Sequence, residues 1–145
     1  MLSPVEWVVT ALRVGQTFPP HPDLAEVIPL TDRMGQWLFQ PPNVAGWPGG
    51  LEWLTDPALV ARANFAAWLT SEASQVPGDH WSQLATRYNV APGDAEIDFW
   101  TSLVWGRTPT AAERGPLAAE LAKSQPAARA KMFRTLLCAP AAQLA

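Results

Sequence analysis

Three side-chain amides, Gln36, Gln40 and Asn43, lie close along the chain to two indoles, Trp47 and Trp53. Amides that donate and accept without charge, set beside indole faces, can hold a sugar ring or a proline-rich peptide. They have a plainer use as well, because a stretch rich in proline and glycine leaves backbone groups that regular structure cannot pair. Arg62 and Asn64 follow soon after. Arg62 is placed to reach the loop's carbonyls or to pair with Glu52 or Asp56, more as a structural staple than as a clamp on a substrate. The candidate binding set is therefore Gln36, Gln40, Asn43, Trp47, Trp53, Arg62 and Asn64.

Nothing beside these residues completes a reaction. Ser3, Ser71, Ser74, Ser82, Ser102 and Ser124 lack the context of a nucleophile elbow. Gly46-Trp47-Pro48-Gly49-Gly50 has no following lysine and is no phosphate cradle. His21 and His80 stand far apart in turn regions, and an adjacent Asp79-His80 is too ordinary a pair to signal acid-base work. The one cysteine, Cys138, has no second cysteine for a disulfide or a zinc site and reads as a small apolar residue. No catalytic residue, metal ligand or cofactor is assigned.

Composition narrows the partners. A chain of 145 residues, 48% of them hydrophobic, is long enough for one core. Ten basic against thirteen acidic residues give a net charge of −3 and no basic stripe for a phosphate backbone, so nucleic acid is not expected. Lys123, Arg129, Lys131 and Arg134 gather near the end, where positive charge suits helix C-termini and solvent. No apolar run approaches the roughly 20 residues that span a bilayer, so membrane insertion is not expected. Met1-Leu2-Ser3-Pro4-Val5-Glu6 lacks the basic start and apolar core of a signal peptide, and no cellular address is legible.

The elements that must position the candidate residues are helices. Ser3-Pro4-Val5-Glu6 is a capping box, and Val5, Val8, Val9 and Leu12 then recur at helical spacing, predicting a helix from Pro4 to Val14 stopped by Gly15. Phe18-Pro19-Pro20-His21-Pro22 reads as an extended connector. Asp23 opens a second pattern through Leu24, Val27, Leu30, Met34 and Leu38, with Pro29 expected to kink or split it. Then comes a loop shaped by Pro41, Pro42, Pro48, Gly46, Gly49 and Gly50.

A third helix is expected from Thr55 or Asp56 to about Ser74. Val76-Pro77-Gly78-Asp79 marks a sub-boundary. Beyond it lie a short helix through Trp81, Leu84 and Tyr88, another through Ile97, Trp100 and Val104 ended by Gly106, and one opened by the capping box Thr110-Ala111-Ala112-Glu113. A last helix from Pro126 carries Phe133, Leu136 and Leu137 and ends at Pro140. Five of the eight tryptophans, Trp7, Trp68, Trp81, Trp100 and Trp105, read as helix packing, and Trp47 and Trp53 are exceptions set in or beside the loop. No alternation of strand length occurs, so the class is all-α: an irregular multi-helix bundle with a long Pro/Gly/Trp-rich loop.

Several runs of the sequence, in this order, resemble the C-terminal part of the bacterial family known as domain of unknown function 1800. They are Ser3-Pro4-Val5-Glu6-Trp7-Val8-Val9, Met34-Gly35-Gln36, Phe39-Gln40-Pro41-Pro42-Asn43-Val44-Ala45-Gly46-Trp47-Pro48-Gly49-Gly50, and Arg62-Ala63-Asn64-Phe65-Ala66. The closing Leu136-Leu137-Cys138-Ala139-Pro140-Ala141-Ala142-Gln143-Leu144 is similar too. The resemblance implies a largely helical protein that is longer in other members and often exported. It names no reaction.

Residues 1–145 thus read as a single helical domain, or as the C-terminal fragment of a larger one. The leading expectation is a non-catalytic helical module that presents its loop to a partner protein or to a missing N-terminal portion of the same protein. Two alternatives stand beside it. One is a carbohydrate-binding element of an envelope protein, with Trp47 and Trp53 as stacking platforms for a polysaccharide. The other is a fragment of an enzyme whose catalytic residues lie upstream.

Overall fold

Ser3 opens the first helix, α1 (Pro4–Val14), with the reciprocal cap that its sequence predicts. The Ser3 hydroxyl accepts from the Glu6 N–H, and the Glu6 carboxylate accepts from the Ser3 N–H at 2.9 Å. Those bonds hold the Glu6 carboxyl below its usual range. Trp7, Val8, Ala11 and Leu12 form the buried stripe of α1. Gly15 caps its end, and space there suits glycine: a Cβ would meet the Ala11 carbonyl at 3.1 Å and the Trp81 ring at 3.2 Å.

The computed structural model describes residues 2–16, 24–77, 79–123, 125 and 127–145. The connector expected at Phe18–Pro22 and the openings expected at Asp23 and Pro126 lie outside them. Among the described residues the chain forms eight α-helices and no strand, so the protein is all-α.

The second helix, α2 (Leu24–Arg33), differs from expectation twice. It runs through Pro29 as one helix, with Val27, Thr31 and Met34 buried on either side of the proline. It also stops short of Leu38. The Gln36 N–H reaches the Thr31 carbonyl, the Gly35 N–H reaches the Asp32 carbonyl, and Gly35 adopts φ +92. This is a Schellman turn, whose left-handed residue glycine adopts without a Cβ penalty. The apolar spacing continues past the helix because Met34, within the turn, still packs into the core.

Thr55 caps α3 (Asp56–Leu69). The helix does not continue to Ser74: the Ser71 hydroxyl donates to the Trp68 carbonyl, the Ser74 hydroxyl to the Leu69 and Ser71 carbonyls, and a 3-10 turn (Glu72–Ser74) follows. Serine hydroxyls that capture nearby carbonyls offer the backbone an alternative to the helix. The second half holds α4 (His80–Arg87), α5 (Asp94–Trp105), α6 (Ala111–Leu121), α7 (Ala128–Cys138) and the short α8 (Pro140–Leu144). Pro140 ends α7, as expected, and also begins α8, which the sequence reading omits.

One core cluster draws on both sides of residues 76–79, joining Trp7, Phe65 and Leu69 to Trp81, Trp100 and Phe133. Aromatic contacts link its parts: Trp7 meets Phe65 at 5.7 Å, and Phe133 lies 4.5 Å from Trp81 and 6.0 Å from Trp100. The helix α7 is the axis, packing against α3, α4, α5, α6 and α8. Across it, Arg129 makes a two-pronged pair with Glu96, whose side chain is 1% exposed. Arg129 therefore neutralises a buried carboxylate, a role beyond the solvated face expected for the C-terminal basic residues.

Candidate functional site

The loop between α2 and α3 is fastened at its two ends and open between them. At the near end the Schellman turn directs Gln36 inward, where its Oε1 accepts from the Val5 N–H at 2.9 Å. Val5 lies in the first turn of α1, whose N–H groups have no partner within the helix, so the amide acts as a cap supplied from another element. At the far end a 3-10 turn (Gly50–Trp53) brings Trp53 down to 5% exposure, with its ring against the Gly35 turn. Trp53 thus closes the loop on itself.

Between these anchors the loop holds itself through short-range bonds. The Asn43 Oδ1 accepts from the Ala45 N–H at 2.8 Å, the Gly46 N–H donates to the Asn43 carbonyl, and the Gln40 N–H donates to the Trp37 carbonyl. The side chains that face solvent are largely apolar: Trp37 is 54% exposed, Leu51 74%, Phe39 86%, and Val44 is fully out. Phe39 also sits at φ +66, a left-handed conformation that costs a residue with a Cβ roughly 1–2 kcal/mol. Strain and exposure coincide on one large apolar residue.

The candidate residues therefore separate. Gln36, Trp53 and Arg62 are interior; Gln40, Asn43 and Asn64 are exposed, and Trp47 is half-buried. A stacking platform made of both Trp47 and Trp53 is not what the loop presents, since Trp53 is packed away. Sequence reasoning missed Trp37, Phe39, Val44 and Leu51. The available signal was a pair of large apolar residues, Trp37 and Phe39, just before Pro41-Pro42, beyond a glycine that ends the helix.

Arg62 is not at the loop. Its Nη1 donates to the Gln143 Oε1 at 3.1 Å, its Nη2 to the Leu2 carbonyl at 3.2 Å, and its guanidinium lies 5.4 Å from the centre of the Trp7 ring. The expected partners Glu52 and Asp56 do not pair with it, and among the described residues no carboxylate does. The side chain is 1% exposed, so desolvation lowers its pKa. The Arg62 Nε and the neighbouring Trp7 Nε1 are buried without an acceptor. Gln143 continues the clamp, donating to the Leu137 carbonyl at 2.7 Å, and the Leu2 N–H bonds the Ala145 carbonyl at 2.9 Å. Arg62 is a staple joining α3, Leu2 ahead of α1, and α8.

Cys138 departs from its expected place as a packed apolar residue. It is exposed at the junction of α7 and α8, where it lines two hollows. The larger, about 560 Å³, lies between α6, α7 and the start of α8. The smaller, about 340 Å³, is bounded by Leu54, Leu59, Ala63 and Leu144. His80 is structural, its Nε2 lying 2.7 Å from the Gly15 carbonyl. Among the described residues no group of three or more His, Cys, Asp or Glu is placed to hold a metal ion, and no helix is long and apolar enough to cross a membrane.

Fold and loop together define an all-α module that carries a long, anchored, apolar-tipped loop on one side. Within that class the particular assignment follows from comparison: the family described as Protein of unknown function (DUF1800) matches residues 1–144, and the chain belongs to it. No curated protein and no solved structure matches the chain.

Proposed function

We propose that this chain is a non-catalytic docking module whose loop, from Trp37 to Leu51, seats on a protein surface, either a separate partner or another portion of the same protein. The observation that carries the reading is Phe39, a large apolar side chain 86% exposed and held at φ +66. A residue kept in a strained conformation with its apolar surface in water contributes nothing to this fold that glycine would not supply at lower cost. Trp37, Val44 and Leu51 extend the same surface, and Gln36 and Trp53 fix its ends. Neutral Gln40 and Asn43 at the tip suit a polar rim around that apolar contact.

Phe39→Gly separates docking from folding. Glycine relieves the left-handed strain, so the variant is expected to be as stable as the wild type or more stable by about 1 kcal/mol. Docking requires the ring. With its partner surface absent, the isolated wild-type chain is expected to self-associate in sedimentation equilibrium, and Phe39→Gly is expected to be monomeric. Equal association of the two proteins, or a monomeric wild type at high concentration, counts against the reading.

A further inference from the structure

We propose that the hollow between α6, α7 and the start of α8 binds a small amphipathic anion, an apolar body bearing one carboxylate. Its volume of about 560 Å³ falls in the range of small-molecule sites, roughly 300–1,000 Å³. Its walls are apolar, built from Trp105, Pro116, Leu117, Ala139 and Pro140.

The charged groups at its edge decide the sign of the ligand. Glu113 is fully engaged: Arg107 donates to it from Nη1 at 2.9 Å and Nη2 at 2.6 Å, and Thr110 donates its N–H at 2.8 Å and its hydroxyl at 2.9 Å. The other polar groups are also committed, the Thr135 hydroxyl to the Lys131 carbonyl at 3.0 Å and the Trp105 indole N–H to the Leu136 carbonyl at 3.1 Å. Arg134 remains. It is exposed, lines the hollow, and makes no ion pair among the described residues.

An apolar hollow with a spare guanidinium and no spare carboxylate favours an anion, and the fork of an arginine matches a carboxylate with two hydrogen bonds. Cys138, one helical turn beyond Arg134, does not oppose it. The residue is exposed, but the walls of the two hollows partly desolvate its thiol and push its pKa up, with Arg134 opposing that shift only in part. The site is separate from the loop and does not depend on the docking reading.

Cys138 is the only cysteine and reports on occupancy. The test measures its alkylation by N-ethylmaleimide, followed by intact mass, with decanoate or decylammonium below their micellar concentrations. The expected result is protection by decanoate and little by decylammonium. Arg134→Gln, compared with its own unliganded rate, is expected to weaken the decanoate effect roughly tenfold. Ala112→Trp, which fills this hollow, is expected to abolish protection, whereas Ala63→Trp, which fills the neighbouring one, leaves it intact. Calorimetric titration of decanoate repeats the comparison without the thiol. Equal protection by both amphiphiles, no protection by either, or loss of protection in Ala63→Trp alone overturns the proposal. So does stronger protection by an acidic, apolar peptide than by decanoate, which would mark the hollow as a seat for polypeptide.

Discussion

The loop from Gln36 to Trp53 and the corner where α7 gives way to α8 both show apolar surface to solvent, with opposite shape and opposite fastening. The loop projects an uncharged tip made by Trp37, Phe39 and Val44. The corner is concave, with Arg134 on its edge. A neutral amide and an indole hold the loop; a buried cation, Arg62, holds the corner through Gln143. The difference teaches that in this chain buried side chains that reach across the sequence fasten each region, Gln36 and Trp53 at the loop and Arg62 with Gln143 at the corner, while exposed apolar residues are left at the surface.

The largest expected effect comes from removing the loop's indole anchor. Trp53 is 5% exposed but stands outside the main core cluster, so Trp53→Ala falls at the lower end of large-to-small aromatic substitutions, about 3 kcal/mol. Urea denaturation gives the stability, and limited proteolysis gives the place. Cleavage is expected to rise between Trp37 and Glu52 and not near α8. A loss under about 1 kcal/mol would mean the loop is held elsewhere and would break the comparison on its loop side.

The corner responds to a smaller change with a distinctive pattern. Gln143→Leu removes one acceptor from a buried guanidinium that has no carboxylate, and leaves the Leu137 carbonyl without its donor. The expected cost is about 2–3 kcal/mol. Adding Arg62→Met is expected to recover part of it, because the desolvated charge goes with the side chain. If the double variant is worse than Gln143→Leu alone, Arg62 stabilises the corner by packing on Trp7, and the fastening is aromatic on both sides of the molecule.

How far the sequence reveals these two regions depends on how local the cause is. The caps at Ser3 and Thr110 and the helix α1 were legible because each rests on residues three or four apart, and the break at Gly106 because a single glycine takes the left-handed φ of +71. The end of α2 was half legible: Gly35 signals a stop, while Met34 and Leu38 keep the helical spacing. The loop was legible as a loop, but its exposed apolar face was not. Nothing local distinguishes Trp53, which packs on Gly35, from Phe39, which stands in water. Arg62 was legible as a staple, but its partners Leu2 and Gln143 lie 60 and 81 residues away. The Glu96–Arg129 pair and the hollow beside Cys138 depend on how α5, α6 and α7 meet, which no spacing within one helix encodes.

The smallest effect tests whether the corner's charge is fixed. Glu113 has its pKa lowered to about 2, first by its bonds from Arg107 and then by those from Thr110. A carboxyl depressed in the folded state contributes stability above its unfolded pKa, and loses it as pH falls through the folded value. The contribution of Glu113 is therefore complete above about pH 4.5 and fades toward pH 2. The group is at the surface, so the readout is its own titration followed by carboxyl carbon chemical shift, not global unfolding. An inflection near 2 is expected, with the Arg107 side chain shifting alongside it. An inflection at the usual carboxylate value would free Glu113 from Arg107 and put a spare negative charge opposite Arg134. The corner would then be balanced in charge, and its contrast with the uncharged loop tip would rest on shape alone.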